Sequence, residues 1–159
     1  MGCKDRPSIV GSHGFNFTLF TNVPERRTDA YGVFTFHEDR TFIFHASEFL
    51  TQSVGGSVGA YNTVLVGVWK QTSGHKYKAK GEFVQLMRDP NNLAAAAVPM
   101  YRWKVKLALK MNHDGVEGSF EGVATPHPVN DLTLTLPAPA PFTGLVLELT
   151  GVNRKLTAC

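Results

Sequence analysis

The chain has 159 residues, 43% of them hydrophobic and only 18% charged, with 15 glycines, 11 phenylalanines and a formal net charge of +3. That length supports one domain with a core of its own, and low charge combined with abundant Phe and Gly favours an all-β protein over a helical one. So small and dispersed a charge argues against a nucleic-acid partner, and two cysteines near the ends, Cys3 and Cys159, form neither a disulfide framework nor a metal motif.

Residues 1–13 are polar and read as a tail. Met1-Gly2-Cys3 begins like a myristoyl and palmitoyl attachment site, but Arg6 stands where that pattern wants Ser or Thr. No apolar run follows, so neither a signal peptide nor a membrane-inserted span is expected, and the expected location is the cytoplasm. Phe15 to Phe20 alternates apolar with polar residues and predicts a first strand, followed by a charged loop over Pro24 to Asp29. Tyr31 to His37 and Thr41 to Glu48 predict a Phe-rich hairpin turning at Glu38-Asp39-Arg40, and Thr51 to Gly59 is a Gly- and Ser-rich loop.

Tyr61 to Lys70 and Lys76 to Met87 make the next hairpin. In its second strand Lys76, Lys78, Lys80 and Glu82 share one face, and Tyr77, Ala79, Gly81 and Phe83 the other, the period of a half-buried antiparallel strand. Arg88 to Pro99 breaks the pattern, with a helical turn expected over Leu93 to Ala97; a long insert between strands is either a binding loop or a surface excursion. Met100 to Met111 is the longest clean alternation, with Tyr101, Trp103, Val105, Leu107 and Leu109 on one side and Arg102, Lys104, Lys106 and Lys110 on the other. Asp114-Gly115 closes a tight turn into a strand that faces Gly118, Phe120, Gly122 and Ala124 inward. Residues 125–141 hold five prolines and read as an extended crossing segment, and Phe142 to Arg154 is the last strand.

Eight strands, mostly joined as neighbours, with glycines on the inner face, predict one domain over 1–159: an eight-stranded antiparallel up-and-down β-barrel. The termini then meet at one rim, but no Cys3–Cys159 pairing is expected in a reducing compartment. The lysine faces read as a solvated outer surface, or as a weak contact for an anionic membrane or partner.

Gly32 to Phe42, Gly67-Val68-Trp69-Lys70, the Tyr77 to Phe83 strand, Asp114-Gly115 with Gly118 and Gly122, and Gly151-Val152-Asn153-Arg154 together resemble the lipocalin-like, calycin-type small β-barrels over roughly residues 30–155. The Gly-x-Trp of lipocalins sits on their first strand, whereas here it stands mid-chain at Gly67 to Trp69. The resemblance implies a barrel with a cavity for a small apolar molecule, and the lipocalin pattern implies a terminal Arg, here Arg154, packed over the Trp.

No nucleophile motif, phosphate loop or metal-ligand spacing is present, so no cofactor and no metal is expected. The inner aromatics are the candidate ligand-binding residues: Phe34, Phe36, Trp69, Tyr77, Phe83, Tyr101, Trp103 and Phe120. Core packing accounts for them equally well, but the inner glycines with Ala79 and Ala124 remove volume opposite them and favour a cavity. Two functions follow: a carrier or sensor of a small apolar molecule, or a cofactor-independent cyclase or isomerase using one acid or base in the same cavity. For the enzyme the candidate groups are Tyr77, Tyr101, His45 and Glu48; His45 lies mid-strand with its direction open, and Glu48, three positions on, falls on the opposite face. A filled barrel that binds a protein partner through its loops is the third possibility.

Overall fold

The computed structural model describes residues 9–22, 25–46, 60–87, 94, 96–129 and 146–156, and every regular element among them is a strand. In chain order these are β1 (Gly11–Asn22), β2 (Glu25–Phe36), β3 (Thr41–Ala46), β4 (Ala60–Asn62), β5 (Leu65–Ser73), β6 (Lys76–Met87), β7 (Val98–Met111), β8 (Glu117–Pro128) and β9 (Leu147–Lys155). Neighbours pair in the order β4-β6-β5-β3-β2-β1-β9-β8-β7, and β6 also pairs with β7, which closes the sheet. β4 and β5 lie end to end along β6. Between them Thr63 keeps the ladder continuous: its N–H donates to the Val84 carbonyl and its hydroxyl accepts the Val84 N–H, both at 2.9 Å. The barrel therefore has eight antiparallel staves, one of them bent.

Its size follows from the register. Directly opposed residues lead from Gly11 through Phe36, Phe42, Gly67, Gly81, Val105, Ala124 and Leu147 back to β1 at Thr21, a stagger of ten residues (11 to 21). With ordinary strand spacings that stagger tilts the strands by about 40° and sets a backbone radius of about 8 Å, just wide enough for side chains to fill or for one small ligand. Inward positions are apolar and outward ones polar along most of β7, whose residues alternate buried and exposed from Tyr101 to Met111. The outer wall of β6 to β8 carries lysine and glutamate, so it lacks the apolar band a membrane-spanning barrel needs. No helix is long and apolar enough to cross a membrane.

The two rims differ. At one, the turn rim, short hairpins join β2 to β3, β5 to β6 and β7 to β8, and Ile9 enters β1 fully buried. At the other, the loop rim, lie the connections β1–β2, β3–β4, β6–β7 and β8–β9. Each of the three short turns has a residue in the left-handed region: Arg40 (φ 68°), Gly74 (φ 46°) and Gly115 (φ 69°). Arg40 and Gly115 are equivalent, each donating its N–H at 3.0 Å to the carbonyl three residues back, His37 and Asn112.

Several boundaries differ from the sequence expectations. β1 begins at Gly11, because ladder pairing with Phe36 extends a stretch that has too little apolar alternation to show as a strand. β2 begins at Glu25, so most of the supposed charged loop is strand; Thr18 donates to Asp29 at 2.9 Å and Arg27 lies over the Phe20 ring at 5.4 Å. β8 continues through Pro126 and Pro128. Val129 donates its N–H to Met100 across the β7 seam, so the even-numbered prolines face the β9 side, where pairing has ended at Ala124–Leu147 and no N–H is required. β9 starts at Leu147. Residues 47–59, 88–93, 95, 130–145, Cys3 and Cys159 lie outside the described residues, and with them Glu48, Leu93 and Ala95 of the expected helical turn and most of the crossing segment; Ala94, Ala96 and Ala97 of that turn are not helical.

Two substitutions test this geometry. Arg40→Gly relieves a left-handed backbone and should stabilise the fold by about 0.5–1 kcal/mol in urea denaturation. Gly151→Ala places a methyl 2.7 Å from the Phe17 Cβ and 2.8 Å from the Phe120 ring and should destabilise it by about 1–3 kcal/mol by the same measurement.

Candidate functional site: the barrel interior

Seven of the eight sequence-predicted binding residues, Phe34, Phe36, Tyr77, Phe83, Tyr101, Trp103 and Phe120, are buried on the inner wall. Trp69 is half-buried at the turn rim, where its indole N–H donates to the His37 carbonyl at 3.1 Å. His45 points outward and is exposed, because β3 gives its inward positions to Phe42, Phe44 and Ala46. It is thereby removed from the interior chemistry. Tyr77 and Tyr101 both face inward but do not converge: Tyr77 opposes Leu109 near the turn rim, and Tyr101 opposes Gln85 near the loop rim. Arg154 is exposed, 3.7 Å from Glu117, and leaves Trp69 uncovered.

The interior is graded along its axis. The turn-rim half is packed with phenylalanine: the Phe34 ring lies 4.4 Å from Phe44, 4.5 Å from Phe15 and 5.3 Å from Phe36, and Phe120 meets Phe15 edge-on at 5.2 Å. The glycines beside this cluster leave no spare volume. A Cβ on Gly32 would meet the Phe15 ring at 2.9 Å, and one on Gly67 the Phe42 ring at 2.7 Å. The inner glycines of the sequence reading are filled in the same way, a Cβ on Gly81 meeting the Leu65 side chain at 3.0 Å, one on Gly118 the Met111 sulfur at 2.7 Å and one on Gly122 the Leu107 side chain, which corrects the expectation that they remove volume from the wall.

The loop-rim half is built differently. Phe83 and Trp103 stack almost parallel (5.8 Å, 5°), and the Trp103 indole donates to buried Gln85 Oε1 at 3.2 Å. The register and stagger carry Ala30, Ala46 and Ala124 to this end, all buried, with Leu149 beside them. Two large flat rings, an amide and a phenol thus share this end with small side chains, Ala124 on the strand next to Trp103 and Ala30 directly opposite Phe17. Burial holds the Tyr101 hydroxyl above the ordinary tyrosine pKa, so it stays a protonated donor.

A polar cluster sits at the turn rim. His13 is fully buried; its Nε2 donates to the Ile9 carbonyl at 2.8 Å, and its Nδ1 accepts from Asn153 Nδ2 at 3.2 Å. Asn153 Nδ2 also lies 3.4 Å from the Met111 sulfur, while its Oδ1 is buried with no partner. Burial raises the Tyr77 pKa, and a hydrogen bond with the Ile9 backbone partly offsets that rise. The barrel thus grips Ile9 by its backbone from two sides. Burial lowers the His13 pKa, with Lys155 adding to the effect and the Ile9 carbonyl opposing it. His13, Gln85 and Asn153 were missed as interior groups in the sequence, though each shares the parity of an apolar neighbour: His13 with Phe15 and Phe17, Gln85 with Phe83, Asn153 with Leu149.

Among the described residues no group of three or more His, Cys, Asp or Glu side chains is placed to hold a metal. The grooves lined by described residues include three on the outer wall, bordered by residues such as Lys78, Lys110, Glu117 and Glu121. Comparison with protein-family models, with curated proteins and with solved structures finds no match.

His13 gives the fold a pH dependence of known sign. Its native pKa lies below the unfolded value, so its neutral form contributes stability that is complete above about pH 6.5 and is lost as pH falls below that value towards the lowered native pKa. Urea denaturation between about pH 7 and pH 5 should show stability falling in the native chain, with a shallower slope in His13→Gln.

Proposed function

We propose that the barrel binds one small hydrophobic molecule in its loop-rim half, as a carrier or sensor, in the manner of the lipocalin-like and calycin-type proteins it resembles. The observation that carries this reading is the grading of the inner wall. Phenylalanine crowds the turn-rim half, whereas the small side chains Ala30, Ala46 and Ala124 come at the end that holds Phe83, Trp103 and Tyr101, Ala124 on the strand beside Trp103 and Ala30 opposite Phe17. Methyl groups at the end that holds the stacked rings suit a flat apolar ligand, and the Gln85 amide and Tyr101 hydroxyl are the few polar groups such a site uses to fix orientation. Ligand access is through the loop rim, since the turn rim is occupied by Ile9, His13, Asn153 and Tyr77.

A cofactor-independent cyclase or isomerase in the same space is the second reading, and Tyr101 supports it. Burial keeps its phenol protonated at neutral pH, which makes it a general acid beside an apolar substrate. Tyr77, engaged with Ile9 at the far rim, has no part in that chemistry.

Titration with an environment-sensitive apolar dye tests the site. Trp103→Ala should weaken binding by removing the stacked face, and Ala124→Phe by filling the space beside it, each by about tenfold or more, the worth of one well-placed apolar group. The exposed variant Val68→Ala should bind as the native chain does. Native-strength dye binding in both inner-wall variants would sink the reading. Extraction and mass spectrometry of protein from its own source then separates the two functions: an unmodified apolar compound supports carriage, and a rearranged product whose formation stops in Tyr101→Phe supports catalysis.

A further inference from the structure

The outer wall is divided by charge. On β2, β3 and β5, Tyr31, Val33, Ile43, Val66 and Val68 are exposed and form a continuous apolar stretch without a formal charge among them. On β5, β6 and β7 the register sets lysine directly against lysine three times: Lys70 opposes Lys78, Lys80 opposes Lys106, and Lys76 opposes Lys110. All six are exposed. Opposed like charges on one face of a sheet destabilise it, so a fold that needed only solubility would gain by alternating the signs. Counter-charge comes mainly from the flanks of the face. Glu82 lies opposite Lys104 and 3.9 Å from Arg102, and Glu121 and Glu148, on β8 and β9, line a groove with Lys78 and Lys106, while each of the three pairs itself stays lysine against lysine.

We propose that this lysine face seats the barrel on an anionic phospholipid surface. Among its described residues the face is unlike a nucleic-acid site: none of them is an exposed Phe, Tyr or Trp for bases to stack on, and Arg102 is their single arginine, whereas paired recognition of phosphates uses arginine forks. Lysines on the outside of a barrel act as point charges that a field of lipid headgroups can satisfy in any lateral register. Apposition to an anionic surface turns the three repulsive pairs into attractive contacts. The association is peripheral and places no strand within the bilayer. It is independent of the ligand reading, since every residue in it faces away from the interior.

Cosedimentation of the full chain with vesicles tests the proposal. Phosphatidylcholine vesicles containing phosphatidylserine should retain the protein at about 0.1 M salt and release it at about 1 M, where charge screening is far shorter in range, and phosphatidylcholine alone should not retain it. The double variant Lys78→Gln/Lys106→Gln should bind the anionic vesicles about 25-fold more weakly, roughly fivefold per charge. The same variant should be at least as stable as the native chain in low salt, because like-charge contacts are removed, so its weaker binding is not a failure to fold. Val33→Thr, on the apolar wall, should bind vesicles like the native chain. Equal binding to both lipids, undiminished binding of the double variant, loss of binding in Val33→Thr, or capture by an oligonucleotide or acidic protein without capture by anionic vesicles would each overturn it.

Discussion

Every inward side chain of this protein competes for one cylinder whose radius is set by eight strands and a stagger of ten residues. That limit explains the odd pairing of residue sizes on the inner wall. Rings as large as Phe15, Phe42 and Phe120 fit only where the strand across or beside them carries a glycine, as at Gly32, Gly67 and Gly151. Large and small residues are therefore two halves of the same packing solution. The same rule extends to alanine, since Ala30 lies directly opposite the Phe17 ring.

The two ends use polarity in different ways. At the turn rim buried polar groups hold the chain's own backbone: the His13 imidazole and the Tyr77 hydroxyl fasten Ile9, and Asn153 fixes the tautomer of His13 by donating to its Nδ1. At the loop rim the amide of Gln85 orients Trp103 and leaves the indole face towards the interior. One end fastens the chain's own backbone and the other orients an indole, although both are built from the same alternation.

Much of the fold was legible because period-two alternation is strongest where a strand has one wet and one dry face, as in β6 and β7. Asp114-Gly115 and the Phe-rich hairpin fixed neighbours, and neighbours in sequence order lead to an up-and-down barrel. The misses have a common cause. Gly11 to Gly14 and Glu25 to Ala30 are strands because their partners require it, with little in their own composition to announce it. Of the candidate site, the inward direction of Phe83, Tyr101 and Trp103 was legible, because they alternate with charged neighbours. The direction of His45 was not, since Phe42, Ile43 and Phe44 are apolar in unbroken succession and conceal the parity. His13 escaped because a polar residue between glycines looks like tail, and only closure by β9 supplies the asparagine that makes its burial tolerable.

The pairing of β1 with β9 bears on how this chain is made. His13 opposes Lys155 across the final seam, so the first strand to leave the ribosome has to wait for the last before its second edge is covered. At ordinary elongation rates that wait is on the order of ten seconds, long compared with the microseconds in which β1 and β2 pair as a hairpin. During synthesis the nascent chain is thus an open, curling sheet with Phe15 and Phe17 on an unsealed face. The closed interior, and anything it holds there, comes into being only once β9 has emerged.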